Sequence, residues 1–375
     1  MKANSSIKNI LMVQDSSPCI RTIKISEALK SKGFNIHLAH KDKTPDEVYG
    51  YGNSIFDSIT LLPKSKFEEI KIIKEIMASK NIDLIHFHNQ PDRLGAKLIK
   101  ANLSVPVIYD QHDFMSFKHH LSKKDKKFER TCNENADGTV YIMNSYKDEV
   151  AKFYSLIDNS LSFANYFPSE STLNSEDFLP KLSKQDKQTH LVYIGRISED
   201  RTDHRNIIEI LKKLSEKGFM LHIYPSRNKK YRNYRKIKNL IVHEKLPYKK
   251  LIQEISQYDF GITVFNNNIA PKLPHIRFAF GNKTFDYICA GIPVLAQDCL
   301  DEVKNFTLSN NFGFILEQYE NYMNISNEQY CKIVENILEK RDSFSMESQI
   351  QRMVDFYNNI KGEKIEKITE NFSRY

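Results

Sequence analysis

The sequence predicts an α/β protein of two domains built on parallel sheets, and three observations carry that expectation. Short apolar runs of strand length alternate with amphipathic stretches from the first residues onward. The alternation weakens once, over 155–189, and then restarts. The chain has 375 residues, beyond the usual ~100–200 of one domain.

Taken in order, strands are expected over 7–13, 34–39, 57–62, 84–88, 105–109 and 138–143. Helices over 20–32, 66–80, 93–101 and 145–154 supply the crossovers that parallel strands need. The polar stretch ends PSESTLNSEDFLPKLSKQDKQT, with two prolines and many Ser, Asp and Lys residues, which suits a connection between domains. Beyond it come a strand over 190–195, a helix over 206–217, a strand over 220–224, a helix over 248–257, and strands over 260–264 and 293–296. From 346 the pattern is helical to the end, with Ile350, Met353, Val354 and Phe356 among charged residues, so this tail must dock on something already built. The expected division is 1–167, 168–345 and a terminal helix over 346–375.

Composition narrows the function classes. With 40% hydrophobic and 11% aromatic residues the chain is too rich in core-forming side chains to be disordered. Subtracting 47 acidic from 55 basic residues leaves +8, which favours anionic partners. Cys19, Cys132, Cys289, Cys299 and Cys331 are scattered and form no CxxC pair, which argues against a zinc framework or disulfides and suits a reducing cytoplasm. No apolar run approaches the ~18 residues of a membrane span, so any membrane association is expected to be peripheral.

Two segments carry anion-binding chemistry. In GNKTFDYICAGIPVLAQ, 281–297, Asn282 reads as an N-cap, 283–290 as a short helix, Gly291 as its stop and Pro293 as the start of a buried strand. Free amides at Asn282, Lys283 and Thr284 would favour an anion, and Asp286 lies one turn further on. The same pattern also serves a plain capped helix feeding a strand. In LVYIGRISEDR, 191–201, a strand ends at Gly195, where backbone can approach a ligand, and Arg196 follows at the carboxyl end.

These segments resemble the nucleotide-sugar motifs of family 4 glycosyltransferases of the GT-B fold. The resemblance implies two Rossmann-like domains facing a cleft, with the terminal helix returning to the first. It gives Asp286 the role of the acid, usually Glu, that grips the donor ribose. It gives Arg196 and, five residues on, Arg201 the role of the cations on the donor diphosphate. The first half resembles the family as well, in DLIHFHNQPD (83–92), YDQHDF (109–114) and GTVYIMNS (138–145). It implies contact of His112 with the transferred sugar, and of His88 and Asp113 with the acceptor. Gly195, Arg196, Arg201, Asn282, Lys283, Thr284 and Asp286 then form the expected donor site. The expected catalytic groups are His112, Arg196 and Arg201.

The resemblance further implies a retaining, metal-independent hexosyl transfer from a nucleotide diphosphate sugar to a glycan or lipid-linked hydroxyl in bacterial surface polysaccharide synthesis, with no cofactor. His86, His88 and His112 are metal ligands by type, but no spaced carboxylate or cysteine completes a set in the sequence, and no metal is expected. Two departures stand out: Phe278 replaces a further Glu that many relatives carry, and the loop QDSSPCIR (14–21) lacks their glycines. A sugar-nucleotide epimerase and a non-catalytic binding subunit are the alternatives these leave.

Two basic clusters remain. RNKKYRNYRKIK, 227–238, has the composition of a nucleic-acid contact or of a solvated helix, and no nucleic-acid module surrounds it, so no nucleic acid is expected. KHHLSKKDKKFER, 118–130, could hold an anionic membrane surface or be a plain solvated helix.

Overall fold

Apolar runs pair as parallel strands here because flanking helices cover them, which leaves the central strands buried end to end. The computed structural model, which describes residues 7–65 and 67–373, divides into two compact units: Met1–Ala164 with Gln349–Tyr375, and Asn165–Ser348. These divisions fall three residues from the expected boundaries after 167 and 345. Lys66, the expected start of a helix, and residues 374–375 of the expected tail lie outside the described residues.

The first unit holds β1 (Asn9–Gln14), β2 (Asn35–His40), β3 (Ser58–Leu61), β4 (Leu84–His88), β5 (Val107–Gln111), β6 (Gly138–Tyr141) and β7 (Ser160–Ser162). They make one parallel sheet in the order β3-β2-β1-β4-β5-β6-β7. The chain reverses its direction of travel across the sheet between β1 and β4, and the carboxyl ends at such a reversal are where open α/β sheets receive ligands. Register sets Gln14 beside His88 and His88 beside Asp110 at those ends.

The terminal helix runs over Met346–Ser373 and buries Met346, Ile350, Met353, Tyr357 and Ile360, a stripe at alternating four- and three-residue spacing. From Gln349 it belongs to the first unit. Its Tyr357 hydroxyl bonds His86 Nδ1, Lys361 pairs with Asp83 at 2.7 Å and Lys364 with Asp137 at 2.9 Å.

The second unit holds β8 (His190–Gly195), β9 (Met220–Pro225), β10 (Leu240–Val242), β11 (Phe260–Thr263), β12 (Val294–Ala296) and β13 (Gly313–Ile315), parallel in the order β10-β9-β8-β11-β12-β13. The reversal lies between β8 and β11. Tyr287, on the helix Asn282–Cys289, accepts from Ile194 N at 3.1 Å and donates to Ile262 O at 3.0 Å, which ties that helix to both strands. Only glycine admits this packing at 261, since a Cβ there would lie 2.3 Å from Tyr287 Cγ. Residues 227–238 are not a helix: apart from a single 3-10 turn at Tyr234–Lys236 they run through turns, with Tyr231 and Tyr234 buried.

Candidate active site

In the second unit the two expected donor segments converge on the carboxyl end of β8. Gly195 has φ +117°, a left-handed conformation that side chains resist, and Lys283 lies alongside it, 3.8 Å from where a Cβ would stand. The helix Asn282–Cys289 is capped by Gly281, not by Asn282 as the sequence suggested. Gly281 takes the extended cap conformation without a side-chain cap bond, so Asn282, Lys283 and Thr284 are the first three helical residues. They form the first turn, the end of a helix that favours anions.

Lys283 Nζ sits 3.9 Å above the centroid of the Tyr193 ring and 5.4 Å from that of Phe265. Burial, and then the charge of Arg205, push its ammonium down to about 7, while Asp286 opposes the shift. Asp286 is buried and accepts a bond from the Tyr248 hydroxyl at 2.6 Å. Tyr193 donates to the carbonyl of Arg196 at 2.9 Å, fixing the strand exit.

The two expected diphosphate cations line neighbouring cavities that share Glu199. Arg196 lines a cavity of about 430 Å³ with Arg227, Lys229, Lys230 and Arg232. Arg201 lines another, with Asn206, Lys236, Asn266 and Asn268. Ser198 N bonds Arg205 O at 3.1 Å and Tyr234 Oη donates to Ser198 O at 2.9 Å, which closes 198–205 into a loop that holds Arg201. The cation whose field reaches Lys283 is Arg205, and its one sequence signal was its place just before the apolar start of the helix Ile208–Glu216. Phe278, where many relatives carry an acid, is buried.

The first unit gathers His88, His112 and Asp113 near the carboxyl ends of β4 and β5, together with residues the sequence did not single out. Asp110, fully buried, is the hub. Arg21 Nε reaches both its oxygens at 3.0 and 2.9 Å, and Arg21 also bonds the carbonyls of Phe163 and Ala164. His86 Nε2 lies 3.2 Å from Asp110 Oδ2, and His112 Nδ1 lies 3.4 Å from Oδ1. Despite burial, the Arg21 guanidinium and the histidines hold the Asp110 carboxyl well below the usual carboxylate range.

Burial alone would lower His112, but Cys19 and Asp110 beside it raise its pKa well above the usual histidine value. Burial likewise would raise the Cys19 thiol, yet His112 and the Thr22 hydroxyl beside it lower it to about 7. Burial and the neighbouring His86 keep His88 neutral. Asp113 is already engaged: its Oδ2 accepts from Gln90 Nε2 at 2.5 Å and pairs with Lys118 at 3.0 Å. The expectation that no cysteine or carboxylate completes the histidine group is corrected, because Cys19 lies with His88 and His112, and Asp110 with His86 and His88, each set having its ligand atoms within 4.8 Å. Cys19 joins through the fold from outside the histidine motifs, whereas Asp110 stands two residues before His112 in YDQHDF.

The helix Lys123–Asn135, within 118–130 and beyond it, buries Glu129, Thr131, Cys132 and Asn133 and exposes Lys123, Lys124, Lys126 and Lys127. Among the described residues no helix is long and apolar enough to cross a membrane.

A family model described as glycosyl transferase 4-like matches residues 9–142. No curated protein matches the sequence. Among solved structures the chain is similar to a glycosyltransferase from Rickettsia africae, at 14% identity and TM-score 0.69 over 94% of this chain and 98% of that one. It is also similar to sucrose-phosphate synthase from Thermosynechococcus elongatus, at 12% identity and TM-score 0.69 over 95% and 100% of the two chains. HepE of Anabaena, solved in complex with UDP-glucose, aligns at 12% identity and TM-score 0.67 over 92% and 99%. At these identities the likeness is one of fold. The chain has the GT-B fold of the glycosyltransferases, with a glycosyl transferase 4-like segment over residues 9–142.

Proposed function

We propose that the second unit binds a nucleoside diphosphate sugar and that the chain transfers the sugar, with retention, to a hydroxyl of a glycan or lipid-linked acceptor in bacterial surface polysaccharide synthesis. The observation that carries this reading is the group formed by Gly195, Lys283 and Asp286 at the reversal point of the second sheet, beside the first turn of the helix Asn282–Cys289. Asp286, held by Tyr248, suits the ribose hydroxyls. Arg196, Lys283 and Arg205 suit the diphosphate, and Arg205 replaces Arg201 in that role. A UDP-glucose complex of HepE makes a uridine donor the first to try.

In the reaction the bond from the anomeric carbon to the diphosphate oxygen breaks and a bond to the acceptor oxygen forms. The acceptor proton passes to the departing diphosphate. Charge accumulates on that leaving group, where preorganised cations count most. No metal or cofactor enters this step: the three cations do the work. His112, carrying its proton, donates a hydrogen bond to a sugar hydroxyl, and His88 shapes the acceptor side.

The chain is proposed to act in the cytoplasm, its exposed lysines 123, 124, 126 and 127 meeting an anionic membrane face. The test is thermal stability against UDP, GDP, CMP and dTDP sugars for wild type, Arg196→Ala, Arg205→Ala and Arg201→Ala. A donor at 100 times its dissociation constant adds about 2.7 kcal/mol. One nucleotide class should stabilise wild type and Arg201→Ala, and neither of the other two. Stabilisation by no nucleotide sugar refutes the reading.

A further inference from the structure

The Cys19, His88 and His112 group has more donor capacity than a sugar contact uses. His88 is fully buried, yet neither of its ring nitrogens has a hydrogen-bond partner. A buried imidazole left so is costly, and its free nitrogens ask for a ligand. One N of His88, one of His112 and Cys19 Sγ lie within 4.8 Å of one another.

The neighbouring set of His86, His88 and Asp110 satisfies the same distance but is already engaged. His86 bonds Tyr357 through Nδ1 and Asp110 through Nε2, and Asp110 is held by Arg21. In the Cys19 set His88 has no bond to give up, Cys19 Sγ has only a weak neighbour in the Thr22 hydroxyl at 3.3 Å, and Asp110 Oδ1 stands 3.4 Å from His112 Nδ1. A carboxylate behind a ligating imidazole is the usual support of a metal-bound histidine.

We propose that Cys19, His88 and His112 bind a soft divalent transition-metal ion, with zinc the best match to one thiolate and two imidazoles. Zinc bonds of about 2.3 Å to sulfur and 2.0–2.1 Å to nitrogen place tetrahedral ligand atoms roughly 3.3–3.6 Å apart. Closing from 4.8 Å to that spacing takes side-chain movements of about 1 Å or less at each residue. The buried His88 forms the floor, while the half-buried Cys19 and His112 give the ion its entry. Three protein ligands leave a fourth position for water. If His112 also serves the sugar as proposed above, ion and sugar compete for it and the ion inhibits transfer. That corollary rests on the functional reading, whereas binding itself does not.

The test uses cobalt(II) as a spectroscopic probe on the full chain, with no nucleotide sugar present. The expected result is one cobalt per chain with a thiolate-to-cobalt charge-transfer band and four-coordinate d–d intensity, displaced by zinc. Cys19→Ser should abolish the charge-transfer band, and His112→Asn should weaken binding at least tenfold. Cys299→Ser and Cys331→Ser, at the other thiols that are not fully buried, should leave the band intact. His88→Asn removes a buried ring, so its folding is checked by circular dichroism, and Cys19→Ser carries the test if it fails. No charge-transfer band, or a band that survives Cys19→Ser, overturns the proposal. Because nothing in this assay involves the donor, its failure is distinct from failure of the transferase reading.

Discussion

If Lys283 grips the donor diphosphate, donor affinity must depend on pH in a way the site already sets. Its ammonium is held at about 7 before the donor arrives, chiefly by burial and then by Arg205. A diphosphate placed beside it favours the charged form, and an ordinary lysine titrates near 10.4. Binding above pH 7 therefore takes up a proton. Affinity should be nearly constant below pH 7 and fall tenfold per pH unit above it until the pKa of the bound state is reached. From pH 7 to pH 9 the dissociation constant should rise about fifty-fold, the ratio of protonated fractions for a group at 7.

Titration calorimetry with the preferred nucleotide sugar, in buffers of different ionisation enthalpy, measures both the affinity and the proton uptake. Lys283→Arg keeps its charge throughout and should give a flat profile, and Lys283→Met should be flat and weaker. A wild-type constant that does not change from pH 7 to pH 9, or a slope that persists in Lys283→Met, would show that this lysine does not hold the donor.

Other perturbations probe the parts separately. Arg21→Met leaves the Asp110 carboxylate buried without its main partner and should cost about 3–5 kcal/mol in the urea transition of the first unit; a loss under about 1 kcal/mol contradicts the hub assignment. Gly261→Ala drives a methyl group into the Tyr287 ring, so it should cost roughly 1–3 kcal/mol and also weaken donor binding through the displaced helix. Unchanged melting and affinity would disprove that coupling. Changing Lys123, Lys124, Lys126 and Lys127 to Gln should reduce co-sedimentation with phosphatidylserine vesicles at low salt, with the activity on soluble acceptors retained. Equal binding by the variant removes the membrane contact.

The central strands were legible in the sequence because burial on both faces leaves continuous apolar runs, as in LIHFH of β4 and HLVYIG of β8. The strands that went unseen, β7, β10 and β13, are three residues each and lie at sheet edges. So short a run has no measurable period, and only its neighbour makes it a strand. The helix at Asn282 was visible from its glycine and proline punctuation, with the cap misplaced by one residue. Arg205 was hidden by a loop whose closure depends on the distant Tyr234, and Cys19 by a sequence separation of 69 residues from His88 that only β1–β4 pairing removes.

The last helix also sets an order of events at the ribosome. The first sheet is encoded by the first 164 residues, but the segment that carries Tyr357 emerges only after all of 165–348 has been made. At about 5–20 residues per second, those 184 residues take roughly 10–40 s. During that interval the nascent first sheet stands with His86 lacking its tyrosine and Asp83 and Asp137 lacking their lysines. The second unit, continuous in the chain, can finish while the first is still waiting. The first unit is thus closed by a segment made after the whole of the second.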